Sequence, residues 1–187
     1  PAVAPRAHRP VQAVSANAEL LLKGEQAWRK FDRVVNVAGP WSNQLLEQSG
    51  LPVQQPLDLV RGSHLLLPPL GRYGHMLEVP GEQRIVFVLP YQNLTLLGTT
   101  EVRQSLAEPI VCSAAERSYL LDLYNHYFQT CRSTTDIIRE FAGVRPLLGG
   151  SEQASTASRE YHMHWQQQLL TVTGGKWTTA RALAKQV

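Results

Sequence analysis

Apolar and polar positions alternate in two different rhythms along this chain. The first 50 residues hold short apolar pieces at 11–14, 19–23 and 27–31, which read as a small hairpin or three-strand meander. Residues 33–38 then form an apolar, β-branched run that reads as a buried strand. Gly39-Pro40-Trp41 follows, with Pro40 suited to a first helical position. The helix it opens is expected to run to about Ser49 and to stop at Gly50. This is a βα unit, and its turn is a place where α/β sheets hold ligands or simply change direction.

Past Pro52 and Pro56 the rhythm becomes strand after strand. Apolar stretches lie at 57–67, 75–79, 84–90 and 94–100, the last two joined across Tyr91-Gln92-Asn93 as a hairpin. Ser113-Ala-Ala-Glu116 has the form of a capping box. It predicts a helix to about Thr130 with Leu120, Leu121, Leu123, Tyr124, Tyr127 and Phe128 on its apolar face. A strand is expected over 137–147, a loop over 148–157, a strand over 159–165 and another over 169–173. Gly174-Gly175 turns the chain into a final predicted helix over 176–187. The fold class is α+β: a largely antiparallel or mixed sheet with helices on one side, flanked by βα pieces of a dinucleotide-binding fold. The segments divide at 1–50, 51–150 and 151–187.

Composition narrows the picture. Of 187 residues, 43% are hydrophobic, enough for a sizeable core. The net charge is only +3 and no run of five like charges occurs, so no nucleic-acid patch is indicated. Cys112 and Cys131 have neither metal nor redox spacing and suggest a reducing compartment or simple burial. No apolar run is long enough for a membrane-spanning helix. The proline-rich start lacks the apolar centre of a secretory signal and reads as a linker or a cut end.

Candidate chemistry concentrates in a few places. The strand, two glycines and helix start around Gly174, Gly175 and Lys176 suit an anion, with Thr178 and Thr179 as further donors. The same pattern also describes a plain helix start after a glycine turn. Arg145 lies late in an apolar strand beside Pro146, as a surface cap or as an anion fork reaching into a cavity. His64 sits in a strand, either as a structural residue or as an acid–base group. Glu101 follows Gly98-Thr99-Thr100 as a turn carboxylate or the partner of a cation. His162 and His164 share a strand face, but no carboxylate or cysteine cluster completes a metal site with them. Tyr91 and Trp177 read as packing residues.

Taken in order, seven blocks resemble one family, the FAD-dependent glycerol-3-phosphate dehydrogenases. They are Val-Asn-Val-Ala-Gly-Pro-Trp at 35–41, Val-Arg-Gly-Ser-His-Leu at 60–65, Arg-Ile-Val-Phe-Val-Leu-Pro-Tyr at 84–91 and Leu-Gly-Thr-Thr-Glu-Val at 97–102. Phe-Ala-Gly-Val-Arg-Pro-Leu at 141–147, Ser-Arg-Glu-Tyr at 158–161 and Gly-Gly-Lys-Trp-Thr-Thr-Ala-Arg at 174–181 complete the set. The resemblance implies the substrate domain of a D-amino-acid-oxidase-like flavoenzyme together with late segments of its FAD domain. It implies oxidation of sn-glycerol 3-phosphate to dihydroxyacetone phosphate, with electrons passed to quinone by a cytoplasmic enzyme peripheral to the inner face of the cell membrane. By the same resemblance Arg145 and Lys176 bind substrate, and Gly175, Lys176, Trp177 and Thr178 lie against the flavin. Ala38 and Gly39 belong to an FAD-binding turn, and Lys176 serves either the flavin edge or the phosphate.

The family's Gly-x-Gly-x-x-Gly fingerprint and its ribose-binding acid are absent from these residues, so the chain by itself is expected to be inactive or to hold FAD weakly. Two rivals stand beside this reading. One is an amine or amino-acid oxidase of the same fold, in which Arg145 would hold a carboxylate. The other is a non-catalytic binding domain.

Overall fold

The structure is a computed structural model, and it describes residues 5–149 and 160–187. The chain folds as two compact units, one of residues 5–58, 146–149 and 160–187, the other of residues 59–145.

In the first unit, β1 (Val11–Val14), β2 (Glu19–Leu22) and β3 (Arg29–Lys30) form the expected antiparallel meander. β4 (Val34–Asn36) leads through a 3-10 turn at Gly39–Trp41 into α1 (Ser42–Gln48). Further along the chain, β11 (Tyr161–Gln166) and β12 (Leu169–Gly174) pair antiparallel, and β12 runs parallel to β4. A small core of Val14, Leu46 and Leu169 ties meander, helix and sheet together. Val34 and Leu169 come from the two parallel strands, and Leu46 from the inner face of α1. Alternation along β4 and helical spacing along α1 thus bury one shared apolar surface.

The second unit carries a six-stranded sheet. Its strands are β5 (Leu57–Leu67), β6 (His75–Glu78), β7 (Ile85–Tyr91), β8 (Leu94–Gly98), β9 (Val102–Arg103) and β10 (Arg139–Leu148). The order is β10-β5-β8-β7-β6, with β9 also paired to β5. The β5–β8, β8–β7 and β7–β6 pairs are antiparallel. One helix, α2 (Ala114–Tyr127), covers one face of the sheet. Leu120, Leu121, Leu123 and Tyr124 pack there on Leu65, Leu67, Leu77, Val86, Val88 and Leu97. Each of these side chains removes apolar area worth about 1.5–3 kcal/mol from water, so this cluster is the main source of stability in the unit.

Several expectations need correction. α2 ends at Tyr127 rather than near Thr130, because Phe128 leaves the helix at φ −117°, ψ 135°. Its ring then packs against Tyr124 and His75. The long C-terminal helix expected over 176–187 does not form. A 3-10 turn at Trp177–Thr179 precedes a five-residue α3 (Ala180–Ala184). The β-branched Thr178 and Thr179 are poor helix formers. The last turn then closes through i to i+3 bonds from Lys185 to Ala182 and from Gln186 to Leu183. Tyr91 and Trp177 are exposed rather than packed. Most of the expected 148–157 loop, and Ser158 with Arg159 from the Ser-Arg-Glu-Tyr block, lie outside the described residues. Both cysteines are free, Cys112 buried and Cys131 exposed.

Candidate active site

Two groups of predicted residues are drawn together, one in each unit. In the first unit β4 and β12 are parallel neighbours, so both reach the same end of their sheet before turning. Ala38 and Gly39 leave that end from β4, and Gly174, Gly175, Lys176, Trp177 and Thr178 leave it from β12. The carboxyl end of parallel strands is where α/β sheets place ligands. Three glycines there adopt the left-handed conformation: Gly39 at φ 57°, Gly174 at 74° and Gly175 at 89°. Their surroundings differ. A Cβ on Gly39 would meet no atom within 4 Å, whereas one on Gly174 would run into the carbonyl oxygen of Glu160. Gly39 therefore borders open space, and Gly174 makes a close backbone approach.

The helix-dipole reading of this end is corrected. α3 is too short to aim a set of free N–H groups at a ligand, and two nearby amides are already used. The N–H of Gly175 donates to Glu160 O at 2.9 Å, and that of Thr179 to Lys176 O at 3.1 Å. What remains is the cation of Lys176 and the indole of Trp177, which is 94% exposed.

In the second unit the site is made of side chains. Arg145, on β10, donates from Nη2 to the carbonyl of Thr100 at 3.0 Å. The same nitrogen lies 3.6 Å from Glu101 Oε1. Arg145 is thus a half-buried fork seated on the turn after β8. Glu101 is shared: its Oε2 faces Nε of Arg84 at 3.4 Å. Arg84 also donates to the carbonyl of Thr99 at 2.9 Å and to the hydroxyl of Tyr119 at 3.0 Å. Glu101 is therefore the partner of two cations, the second of the roles open to it from sequence.

His64 is on β5, paired in register with Gly98 of β8. Its ring stacks on Phe141 with centroids 5.0 Å apart and planes 9° from parallel. A Cβ at Gly98 would collide with the imidazole, and one at Gly62 would meet Thr99 and Arg145. These two glycines make the room in which His64 and Arg145 sit. Burial first, and the Arg145 charge second, push the His64 pKa below its usual 6.5. Nδ1 is buried with no hydrogen-bond partner among the described residues. Both causes favour the neutral imidazole over the protonated one.

Sequence reasoning passed over the group that braces this arrangement. Glu116, noted only as the last residue of a capping box, does complete that box with Ser113. It is also 4% exposed and bound to Arg61, Ser63 and Thr100. The box was visible at a separation of three residues. The link to β5, 55 residues away, has no local signature. His162 and His164 stack at 6.3 Å on β11, and the described residues hold no group of three or more His, Cys, Asp or Glu able to bind a metal.

An α+β fold of two units, with glycine turns at the end of a parallel strand pair in one and an arginine and a histidine on neighbouring strands of a six-stranded sheet in the other, defines a class. The chain belongs to the family described as FAD dependent oxidoreductase (DAO), which matches residues 3–187. It is similar to a glycerol-3-phosphate dehydrogenase of Pseudomonas tolaasii, 36% identical over 165 residues, covering 81% of this chain and 32% of the relative. It is 32% identical over 161 residues to a D-erythritol 1-phosphate dehydrogenase of Brucella abortus, with the same coverage of both chains. A solved glycerol-3-phosphate dehydrogenase of Bacillus halodurans complexed with FAD superimposes at a TM-score of 0.79, 25% identical, over 96% of this chain and 37% of that one. The chain spans about a third of the length of the curated relatives it matches.

Proposed function

We propose that this chain supplies the substrate pocket and part of the flavin site of an enzyme that oxidises sn-glycerol 3-phosphate to dihydroxyacetone phosphate. The observation that carries the reading is the Arg145 fork, braced by Thr100 and Glu101 on the strand next to His64. A guanidinium offers a phosphate two parallel donors, and the imidazole can accept the proton of a neighbouring hydroxyl. The likeness to two polyol-phosphate dehydrogenases supports this choice over an amino-acid oxidase.

The residues at the ends of β4 and β12 fit FAD in part. Gly39 leaves room where a side chain would stand, Gly174 and Gly175 give a backbone surface, and Lys176 adds a cation beside an exposed indole. Ala38, Gly39, Gly174, Gly175, Lys176, Trp177 and Thr178 would hold the cofactor. FAD, when bound, supplies the two-electron acceptor. The chain has no Gly-x-Gly-x-x-Gly, so these residues alone hold FAD weakly and turn over little substrate.

The family resemblance also supports quinone as the onward acceptor and a place on the inner face of the cell membrane. Among the described residues no helix is long and apolar enough to cross a membrane. Release of activity from membranes by salt, and quinone-dependent turnover, are the expected results.

The deciding experiment is an anaerobic titration of the FAD-loaded enzyme that contains this chain. Sn-glycerol 3-phosphate bleaches the flavin, and glycine or proline does not. Arg145→Lys, which keeps the charge and loses the fork, lowers kcat/KM by roughly two orders of magnitude, about 2–3 kcal/mol. Unchanged kinetics would return Arg145 to a structural role.

A further inference from the structure

The Glu116 carboxylate accepts from six donors: Arg61 Nε and Nη2, Ser63 Oγ, Thr100 Oγ1, and the N–H and Oγ of Ser113. The shortest of these bonds divide by atom, and Arg61 Nε also reaches Oε1 at 3.4 Å. Oε2 takes Arg61 at 2.8 Å and Ser113 at 2.7 Å, which fixes α2 to β5. Oε1 takes Ser63 at 2.7 Å and Thr100 at 2.6 Å, which fixes β5 to the turn after β8. Thr100 Oγ1 in turn accepts the N–H of Ser63 at 2.9 Å. Ser63 and Thr100 are both buried, so water does not compete for these bonds.

The two residues gripped by Oε1 are neighbours of the pocket groups. Ser63 precedes His64, and the Thr100 carbonyl is the acceptor for Arg145 Nη2 at 3.0 Å. Thr100 therefore presents its hydroxyl to Glu116 and its carbonyl to the arginine. We infer that Glu116, acting through Thr100, is the positioning residue that fixes where the Arg145 fork stands relative to His64. It touches neither the fork nor any reacting atom. Its effect is on geometry: a displacement of the turn moves the acceptor on which Arg145 rests, and small displacements in a binding fork cost much affinity.

This inference rests on the reading of Arg145 as the phosphate ligand, and one set of variants in the FAD-loaded enzyme separates the two. Thr100→Val keeps the shape and removes the hydroxyl. Thr100→Ala removes both, and Thr100→Ser keeps the hydroxyl. KM for sn-glycerol 3-phosphate and Ki for inorganic phosphate are expected to rise roughly tenfold in the valine and alanine variants, with kcat per bound flavin within about a factor of two. The serine variant restores both constants. A role in packing alone predicts the opposite grouping, with alanine and serine impaired and valine normal, and that result overturns the inference. If Arg145→Lys raises both constants while neither Thr100→Val nor Thr100→Ala does, the positioning role fails and the function stands. If Arg145→Lys moves neither constant, the reading of Arg145 itself fails.

Discussion

In the unit of residues 5–58, 146–149 and 160–187, the candidate residues act through what they lack. Gly39, Gly174 and Gly175 contribute conformation and room, and Trp177 and Lys176 project into solvent. In the unit of residues 59–145 the candidates act through what they hold. Arg145 and Arg84 are bound to turn carbonyls and to Glu101, and behind them lies a carboxylate with six donors. The first kind is backbone set by glycine conformation, with open space at Gly39. The second is preorganised charge, whose cost is met by buried hydrogen bonds. The two should respond differently to substitution.

The largest expected effect tests the second kind. Arg61 and Glu116 form a buried pair, 2.8 Å apart with side chains 10% and 4% exposed. Arg61→Met leaves the carboxylate uncompensated in the interior and is expected to cost about 4 kcal/mol, read by denaturant unfolding. A loss below about 1 kcal/mol would mean that water reaches Glu116 and that the preorganised site is softer than its geometry.

Acid probes the same carboxylate without mutation. Burial alone would raise the Glu116 pKa, but hydrogen bonds from Arg61, Thr100 and Ser113 outweigh it and hold the value at about 2, against 4.5 unperturbed. Between those values the unfolded chain takes up a proton that the folded one refuses. Stability is fully present above pH 4.5 and falls as the pH drops toward 2, by about 3 kcal/mol in all. His64 adds in the same direction. Its folded pKa lies below 6.5, so its contribution is present above pH 6.5 and is lost on acidification. A stability profile flat from pH 5 to pH 2.5 would contradict the Glu116 assignment.

These contrasts also explain what the sequence disclosed. The β4–turn–α1 unit, the 85–98 hairpin, the capped α2 and the glycine pair after β12 each carry a local signature, and each is present. Strand periodicity placed Arg145 and His64 on their strands. It could not place them on neighbouring strands with Phe141 and Gly98 around the ring, since pairing is a long-range fact. Glu116 looked like a cap because capping is local. Its second role depends on Ser63 and Thr100, 53 and 16 residues away. The expected C-terminal helix failed for a local reason, the two threonines that open it.

A pair of glycine substitutions sharpens the first kind of site. Gly174→Ala pays for both a left-handed backbone and a collision with Glu160 O, and is expected to cost about 2 kcal/mol. Gly39→Ala has the same handedness but open space, and is expected to cost about 1 kcal/mol. Equal costs would mean that the Glu160 carbonyl moves aside, and that the close approach at Gly174 is not a fixed feature.

The smallest effect on stability carries the sharpest test of a waiting surface. Trp177 is 94% exposed, so Trp177→Ala removes almost no buried area and should change stability by less than about 0.5 kcal/mol. An indole in water is an unusual use of the largest side chain unless something covers it. If FAD does, the full enzyme carrying Trp177→Ala releases flavin more readily on dilution, while its melting temperature without flavin is unchanged. The chain has four tryptophans, so quenching of indole fluorescence on adding FAD should shrink in the variant by the share that Trp177 contributes. Flavin retention and quenching both equal to the parent's would remove Trp177 from the cofactor surface. The turn after β12 would then owe its conformation to Gly174 and Gly175 alone.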